Sequence, residues 1–236
     1  MIDEMDSSQE KQYLYKQRSE TLIKNLKKRH INGLYAADKS EALTAAMPMI
    51  SPGLVVARGD SMSVDQVGLF DELRKRGQNR IIDYFGKNAK GPSLSTLESR
   101  RPQDQESFGA DVYITGSNAI TIDGKIINTD GIGNRVALMI YGPRKVILII
   151  SANKIVNSEE EARQRIRHIA APLNAIRHYT KHARTNLGNL PCVRTGQCMD
   201  CSSEARICRY TVIIEGVDLV HKGRINVILV GEELGL

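Results

Sequence analysis

The 236-residue sequence has no tryptophan and only three phenylalanines. Proteins that hold single-stranded nucleic acid stack its bases on aromatic platforms, so this composition argues against nucleic acid as a partner despite a net charge of +6. No apolar run approaches the ~18 residues a membrane span needs; the longest stretches, 136–141 and 146–150, are strand- or helix-sized. The opening Met1-Ile-Asp-Glu-Met-Asp6 is acidic and has no apolar core, unlike a secretory signal, so the expected location is cytoplasmic. No internal repeat occurs. The histidines lack an H-E-x-x-H pattern, no Ser/His/Asp arrangement can be read, and Gly131-x-Gly133 has no third glycine in register for a flavin or nicotinamide fingerprint. What remains, at 41% hydrophobic and 25% charged residues, has the balance of a folded globular chain rather than a disordered one.

Charge and cysteine are both concentrated late in the chain. Between residues 163 and 209, nine Lys or Arg face only Asp200 and Glu204, and His168, His178 and His182 lie in the same stretch. Such a patch attracts an anion: a phosphate, a carboxylate or a coenzyme. All four cysteines fall within Cys192-x5-Cys198-x2-Cys201-x6-Cys208. Structural disulfides are rare in a cytoplasmic chain, so Cys192, Cys198, Cys201 and Cys208 are read as a ligand set for one metal centre, with Arg194, Arg206 and Arg209 favouring thiolates. Zinc and an iron–sulfur cluster both suit four thiolates, and the spacing matches neither standard signature. Four reduced thiols, or a redox disulfide between Cys198 and Cys201, are the plainer alternatives.

Hydrophobic periodicity predicts an N-terminal helix over residues 1–32, ended by Gly33, followed by one α/β domain over 33–236 in which 185–210 is a cysteine-rich segment. Strands are expected at 54–57, 80–84, 111–115, 145–150, 211–215 and 225–230, with one helix over 64–76 and another from Ser158 to about Ala171, interrupted by Pro172. Residues 86–107, rich in Gly, Ser, Lys and Arg, read as a mobile connection carrying at most short helices. Ala119-Ile-Thr-Ile122, Asp123-Gly124 and Lys125-Ile-Ile-Asn128 form the pattern of a hairpin on a two-residue type I′ turn. Alternating strands and helices imply a mainly parallel sheet with helices on both faces and the hairpin as a local antiparallel element.

Three segments could meet a ligand. Gly59-Asp60-Ser61-Met62-Ser63 joins a strand to a helix, with Ser63 and Gln66 spaced as a capping box, and its glycine and amides could face an anion. Ser117, Asn118 and Asn128 flank the hairpin. Gly131-Ile-Gly133-Asn134-Arg135 follows it, and there Arg135 could clamp a carboxylate or phosphate. Asp60, Asp123, Asp130 and His178 are candidate bases, although Asp-Gly is what a turn requires of Asp123. Tight turns, ordinary caps and backbone hydrogen bonds account for the same residues without a ligand.

Ala110-Asp-Val-Tyr-Ile-Thr-Gly116, Ser117-Asn-Ala-Ile-Thr-x-Asp-Gly124, Ile127-Asn-x-x-Gly131 and Gly133-Asn-Arg-Val-Ala137 resemble the lactate-utilisation (LUD) domain family. Pro172-Leu-Asn174, Gly196-x-Cys-x-Asp-Cys201, Arg206-Ile-Cys208 and Gly231-Glu-Glu-Leu-Gly235 resemble its cysteine-bearing branch, the whole likeness covering about residues 10–236. It implies the fold shared by glucosamine-phosphate deaminases, ribose-phosphate isomerases and CoA transferases, with Gly59–Ser63 as an anion loop facing 116–135. It also implies a part in oxidising lactate alongside iron–sulfur partner subunits. Two other readings stay open: a free-standing enzyme acting on a sugar phosphate or CoA-linked acid, and a zinc-stabilised binding module whose basic C-terminal stretch meets RNA or DNA. A homo-oligomer is compatible with all three.

Overall fold

The computed structural model describes residues 4–83, 97–182 and 184–236, the first four of the second span by their backbone alone. The chain runs α1 (Ser8–Lys28), β1 (Asn32–Ala36), α2 (Lys39–Ala46), β2 (Val55–Arg58), α3 (Met62–Val67), α4 (Leu69–Arg76), β3 (Arg80–Ile82), α5 (Leu97–Phe108), β4 (Val112–Thr115), β5 (Ala119–Thr121) and β6 (Ile126–Asp130). It continues through α6 (Asn134–Ile140), β7 (Lys145–Ser151), β8 (Ile155–Val156), α7 (Glu159–Arg165), α8 (Ala171–Lys181), α9 (Pro191–Thr195), β9 (Tyr210–Ile214) and β10 (Ile225–Val230).

Six strands form a fully parallel sheet in the order β1-β10-β7-β4-β2-β3. Its central strands are apolar without interruption because both faces are covered. In β7, Val146, Leu148 and Ile150 point into one core with Leu22 and Leu26 of α1 and Leu138 and Met139 of α6. Ile147 and Ile149 point into the other, with Ala42, Ala46, Val64, Leu69 and Leu73 of α2, α3 and α4. This alternation is the period of two that places successive strand residues on opposite faces.

The hairpin strands belong to a second sheet, β8-β5-β6-β9, rather than forming an antiparallel part of the main one. Ile120 and Ile126 join the first core, while Ala119 and Ile127 pack under Ala162 and Ile166. The turn also differs from expectation. Thr121 N–H bonds to Lys125 O at 2.9 Å and Gly124 N–H to Thr121 O at 2.8 Å, a three-residue loop in which only Gly124 has positive φ, +97°. A type I′ turn would need positive φ at Asp123 as well; glycine at the third position gives a type I turn with a bulge.

Other boundaries shift for local reasons. The N-terminal helix stops at Lys28 because His30 turns left-handed (φ +59°), so Gly33 lies within β1 and packs on Leu26 and Ile23. The helix expected over 64–76 breaks at Gly68, whose φ of +77° ends α3 and opens α4. From Leu97 the expected connection is a twelve-residue helix, α5, despite Pro102; the expected Tyr84 strand end and residues 86–96 lie outside the described residues. Pro172 opens α8, where a missing N–H costs nothing, after a π-helical stretch over Ile166–Ala170.

Candidate functional site

In the main sheet β2 has β3 on one side and β4 on the other, so the chain's progress reverses between β2 and β4. Open parallel sheets bind ligands at such a reversal, outside the carboxyl ends of the strands. The two loops leaving that point are Gly59-Asp60-Ser61 and Gly116-Ser117-Asn118. They touch: a Cβ on Gly116 would fall 2.5 Å from Ser61 Oγ. A Cβ on Gly59 would run into the side chains of Tyr113 and Thr115, both fully buried, while Gly59 N–H is pinned to Ile114 O at 2.8 Å. Gly59→Ala is therefore expected to cost about 2 kcal/mol, as overpacking of a site that cannot yield does, read as a lowered urea midpoint with unchanged slope.

Ser61, not Ser63, caps α3, accepting from Val64 N–H at 3.4 Å. Ser63 falls inside the first turn, is 1% exposed, and turns its hydroxyl toward Lys154; Gln66 binds Gly235 N–H instead of closing a capping box.

Asp60 meets α8. Arg177 Nη2 donates to its Oδ2 at 2.7 Å, and His178 Nε2 stands 3.9 Å from the same oxygen. Burial pushes the Asp60 carboxyl up, but Arg177, His178 and Arg135 outweigh it and hold the group below its usual range, ionised at neutral pH. Burial, then Arg177, pull His178 down to about 4, so its imidazole is neutral. Two buried donors here, Arg177 Nε and the Thr115 hydroxyl, have no partner among the described residues.

The residues around the hairpin are tied to one another. Asn128, 1% exposed, accepts from Asn118 N–H at 3.1 Å and Arg135 Nη1 at 2.7 Å, and donates to Ser117 Oγ at 3.1 Å. Arg135 Nη2 donates to Asn118 Oδ1 and Thr129 O, and Arg165 Nη1 to Asn118 O. Asp130 accepts from the N–H groups of Gly131 and Arg135 at the start of α6, where Asn134 is the first residue and Gly133 turns left-handed before it. Asp123 lies in the hairpin loop and pairs with Arg29 at 2.7 Å.

The four cysteines converge. All are reduced and partly buried, and together with Ala171, Pro172, Met199, Arg206 and Ile207 they line one cavity of about 20 Å³. Two left-handed residues make this possible: Gly196 (φ +73°) turns the chain back after α9, which carries Cys192, and Asp200 (φ +46°) sits inside Cys198-x2-Cys201. Asp tolerates that conformation better than most residues. Arg206 staples the loop, donating from Nε to Cys208 O at 2.9 Å and Sγ at 3.3 Å, and from Nη1 to Cys201 O at 2.6 Å. Burial and the neighbouring sulfurs of Cys208, Cys201 and Cys198 push the Cys192 thiol up, the reverse of the arginine effect expected from the sequence. Among the described residues no three His, Cys, Asp or Glu side chains already stand in the arrangement of a bound ion.

The profile of the LUD domain matches residues 19–230, nine-tenths of the chain. The chain is a LUD-domain protein. No curated protein matches it. Among similar solved structures is a DUF162 family protein from Deinococcus radiodurans, 14% identical, with a TM-score of 0.45 over 93% of this chain and 98% of that one. No helix among the described residues is long and apolar enough to cross a membrane.

The LUD domain holds one prominent residue that the sequence did not flag. Lys154 ends the short 3-10 turn after β7, is 5% exposed, and directs its amine to Ser63 Oγ at 3.1 Å. Burial, with Arg165 and Arg135 nearby, lowers its pKa to about 7. The only available signal was a lysine shortly after an apolar strand, at the end of the sheet where ligands bind.

Proposed function

We propose that this LUD-domain protein is a component of lactate oxidation that holds a small acid at the sheet end and passes electrons through a thiolate-bound iron–sulfur centre to partner subunits. The observation that carries the reading is the course of α8. Its first residues, Ala171 and Pro172, line the cysteine cavity, and Arg177 and His178 in the same helix meet Asp60. Six residues of helix separate them, about 9 Å. A second link is Gly131, where a Cβ would lie 3.3 Å from Ile207 O, the residue before Cys208.

Cationic Arg177, Arg135 and Arg165 gather at this end of the sheet with the carboxylates of Asp60 and Asp65, and the arginines favour a small carboxylate, lactate or pyruvate. The free Arg177 Nε and Thr115 hydroxyl are donors for it, and neutral His178 can accept the hydrogen bond of a 2-hydroxyl. Cys192, Cys198, Cys201 and Cys208 would hold the centre, and their thiolate chemistry fits it; the centre would supply one-electron transfer. Exposed Ile169, Leu173 and Met199 beside the cavity give a partner subunit an apolar surface to cover.

The small cavity volume favours a second reading, a single structural zinc, because one ion draws four sulfurs close. Metal analysis decides. Protein purified without oxygen is expected to be coloured and to contain iron and sulfide, and Cys198→Ala to be colourless and iron-free. Colourless wild-type protein with one zinc would establish the structural site and sink the redox reading.

A further inference from the structure

Lys154 is buried without a counter-ion among the described residues. Its hydrogen-bond partner there is the Ser63 hydroxyl, and the charged groups that act on it most, Arg165 and Arg135, are both cations; no described carboxylate stands within ion-pairing distance. A lysine kept for structure is paired, since an unpaired buried charge is costly. Lys154 follows the carboxyl end of β7, the strand paired with β4, from which the Gly116-Ser117-Asn118 loop leaves. Backbone covers it from one side: a Cβ on left-handed Gly235 would strike both Ser63 Oγ and Lys154 Nζ. Its neighbours are the arginines already described as drawing a carboxylate to this face.

We propose that Lys154 captures the carbonyl carbon of a small 2-oxo acid as an imine, with Ser63 as the proton donor. This rests on the reading of the sheet end as an acid site and is independent of the cysteine centre. The neutral amine nitrogen attacks C2, and the carbonyl π pair moves to oxygen, which takes the Ser63 proton. The first amine proton returns to Ser63, which donates it to the carbinolamine hydroxyl; this leaves as water while the nitrogen lone pair forms the carbon–nitrogen double bond, and the second amine proton restores Ser63, so that nothing is oxidised or reduced. At pH 7 about half of the amine is in the reactive neutral form. A 2-hydroxy acid has no keto carbonyl at C2 and is not captured, so the site distinguishes the oxidised acid from the reduced one.

The test is reductive trapping on the full chain with pyruvate and cyanoborohydride at pH 7, followed by intact mass and peptide mapping. The expected product carries one adduct, heavier by pyruvic acid less one oxygen atom, on Lys154, with none from lactate. Lys154→Arg and Lys154→Met, checked for folding by thermal melts, should lose it, and Ser63→Ala should slow trapping by roughly a hundredfold, the contribution of a positioned proton donor. If pyruvate raises the melting temperature but Lys154 carries no adduct, or adducts spread evenly over surface lysines, imine capture is overturned and the acid site stands. If pyruvate neither stabilises the protein nor labels it, both fail.

Discussion

Lys154→Met is expected to stabilise the folded protein, most strongly at pH 6–7. The wild-type amine titrates at about 7 in the fold, against the ordinary 10.5 in the unfolded chain, first because it is buried and then because Arg165 and Arg135 repel its charge. Below pH 7 both states are protonated and the fold bears the whole penalty of a buried ammonium. Between 7 and 10.5 the unfolded chain binds the extra proton, so wild-type stability climbs with pH; above 10.5 the penalty is gone. A tenfold change in proton affinity corresponds to about 1.4 kcal/mol, which bounds the penalty at about 5 kcal/mol. Methionine keeps the apolar stem and removes the charge, and the Ser63 hydroxyl loses a partner worth about 1 kcal/mol. Urea titrations at pH 6.5 and pH 10 should give a net gain of up to about 4 kcal/mol at the lower pH, shrinking toward zero or slightly below at the higher. A variant destabilised equally at both values would mean that the amine is held by stabilising contacts. Stability given up at a functional position is a common trade.

Asn128→Leu is expected to be among the most damaging single changes in the hairpin region. It removes the acceptor that Asn118 N–H and Arg135 share and the donor to Ser117, in a position 1% exposed where water cannot substitute. An orphaned buried donor costs about 1–3 kcal/mol, more when charged, so a loss of about 4 kcal/mol follows for the set. Asn128→Asp keeps the acceptor and loses only the donor to Ser117, and should cost about half as much. The measurement is the urea midpoint of each variant. Equal losses for Leu and Asp would show that the acceptor is not what matters.

Much of the architecture is legible in the order of residues. The apolar runs of β7 and β10 announce strands buried on both faces, and Asp123-Gly124 between two apolar runs announces a hairpin, because the side-chain period reports local burial directly. The turn type is not legible, because Asp-Gly serves both the two-residue turn and the bulged three-residue one, and backbone hydrogen bonds decide between them. The helix cap is ambiguous for a similar reason: Ser61 and Ser63 both suit that position, and what separates them is the pull of Lys154 on one hydroxyl. The second sheet cannot be foreseen, since β9 pairs with β6 across more than seventy intervening residues.

The sequence by itself determined the family, the alternation of strands and helices, the glycine-bearing loops and the grouping of four thiols in one segment, since each is a property of neighbours along the chain. Strand order decided the rest. It set the reversal between β2 and β4, joined Asp60 to Arg177 from 117 residues away, and brought Lys154 to Ser63 across 91. Contacts of that separation depend on which faces pack together, and a one-dimensional pattern reports that a face is buried without naming what buries it.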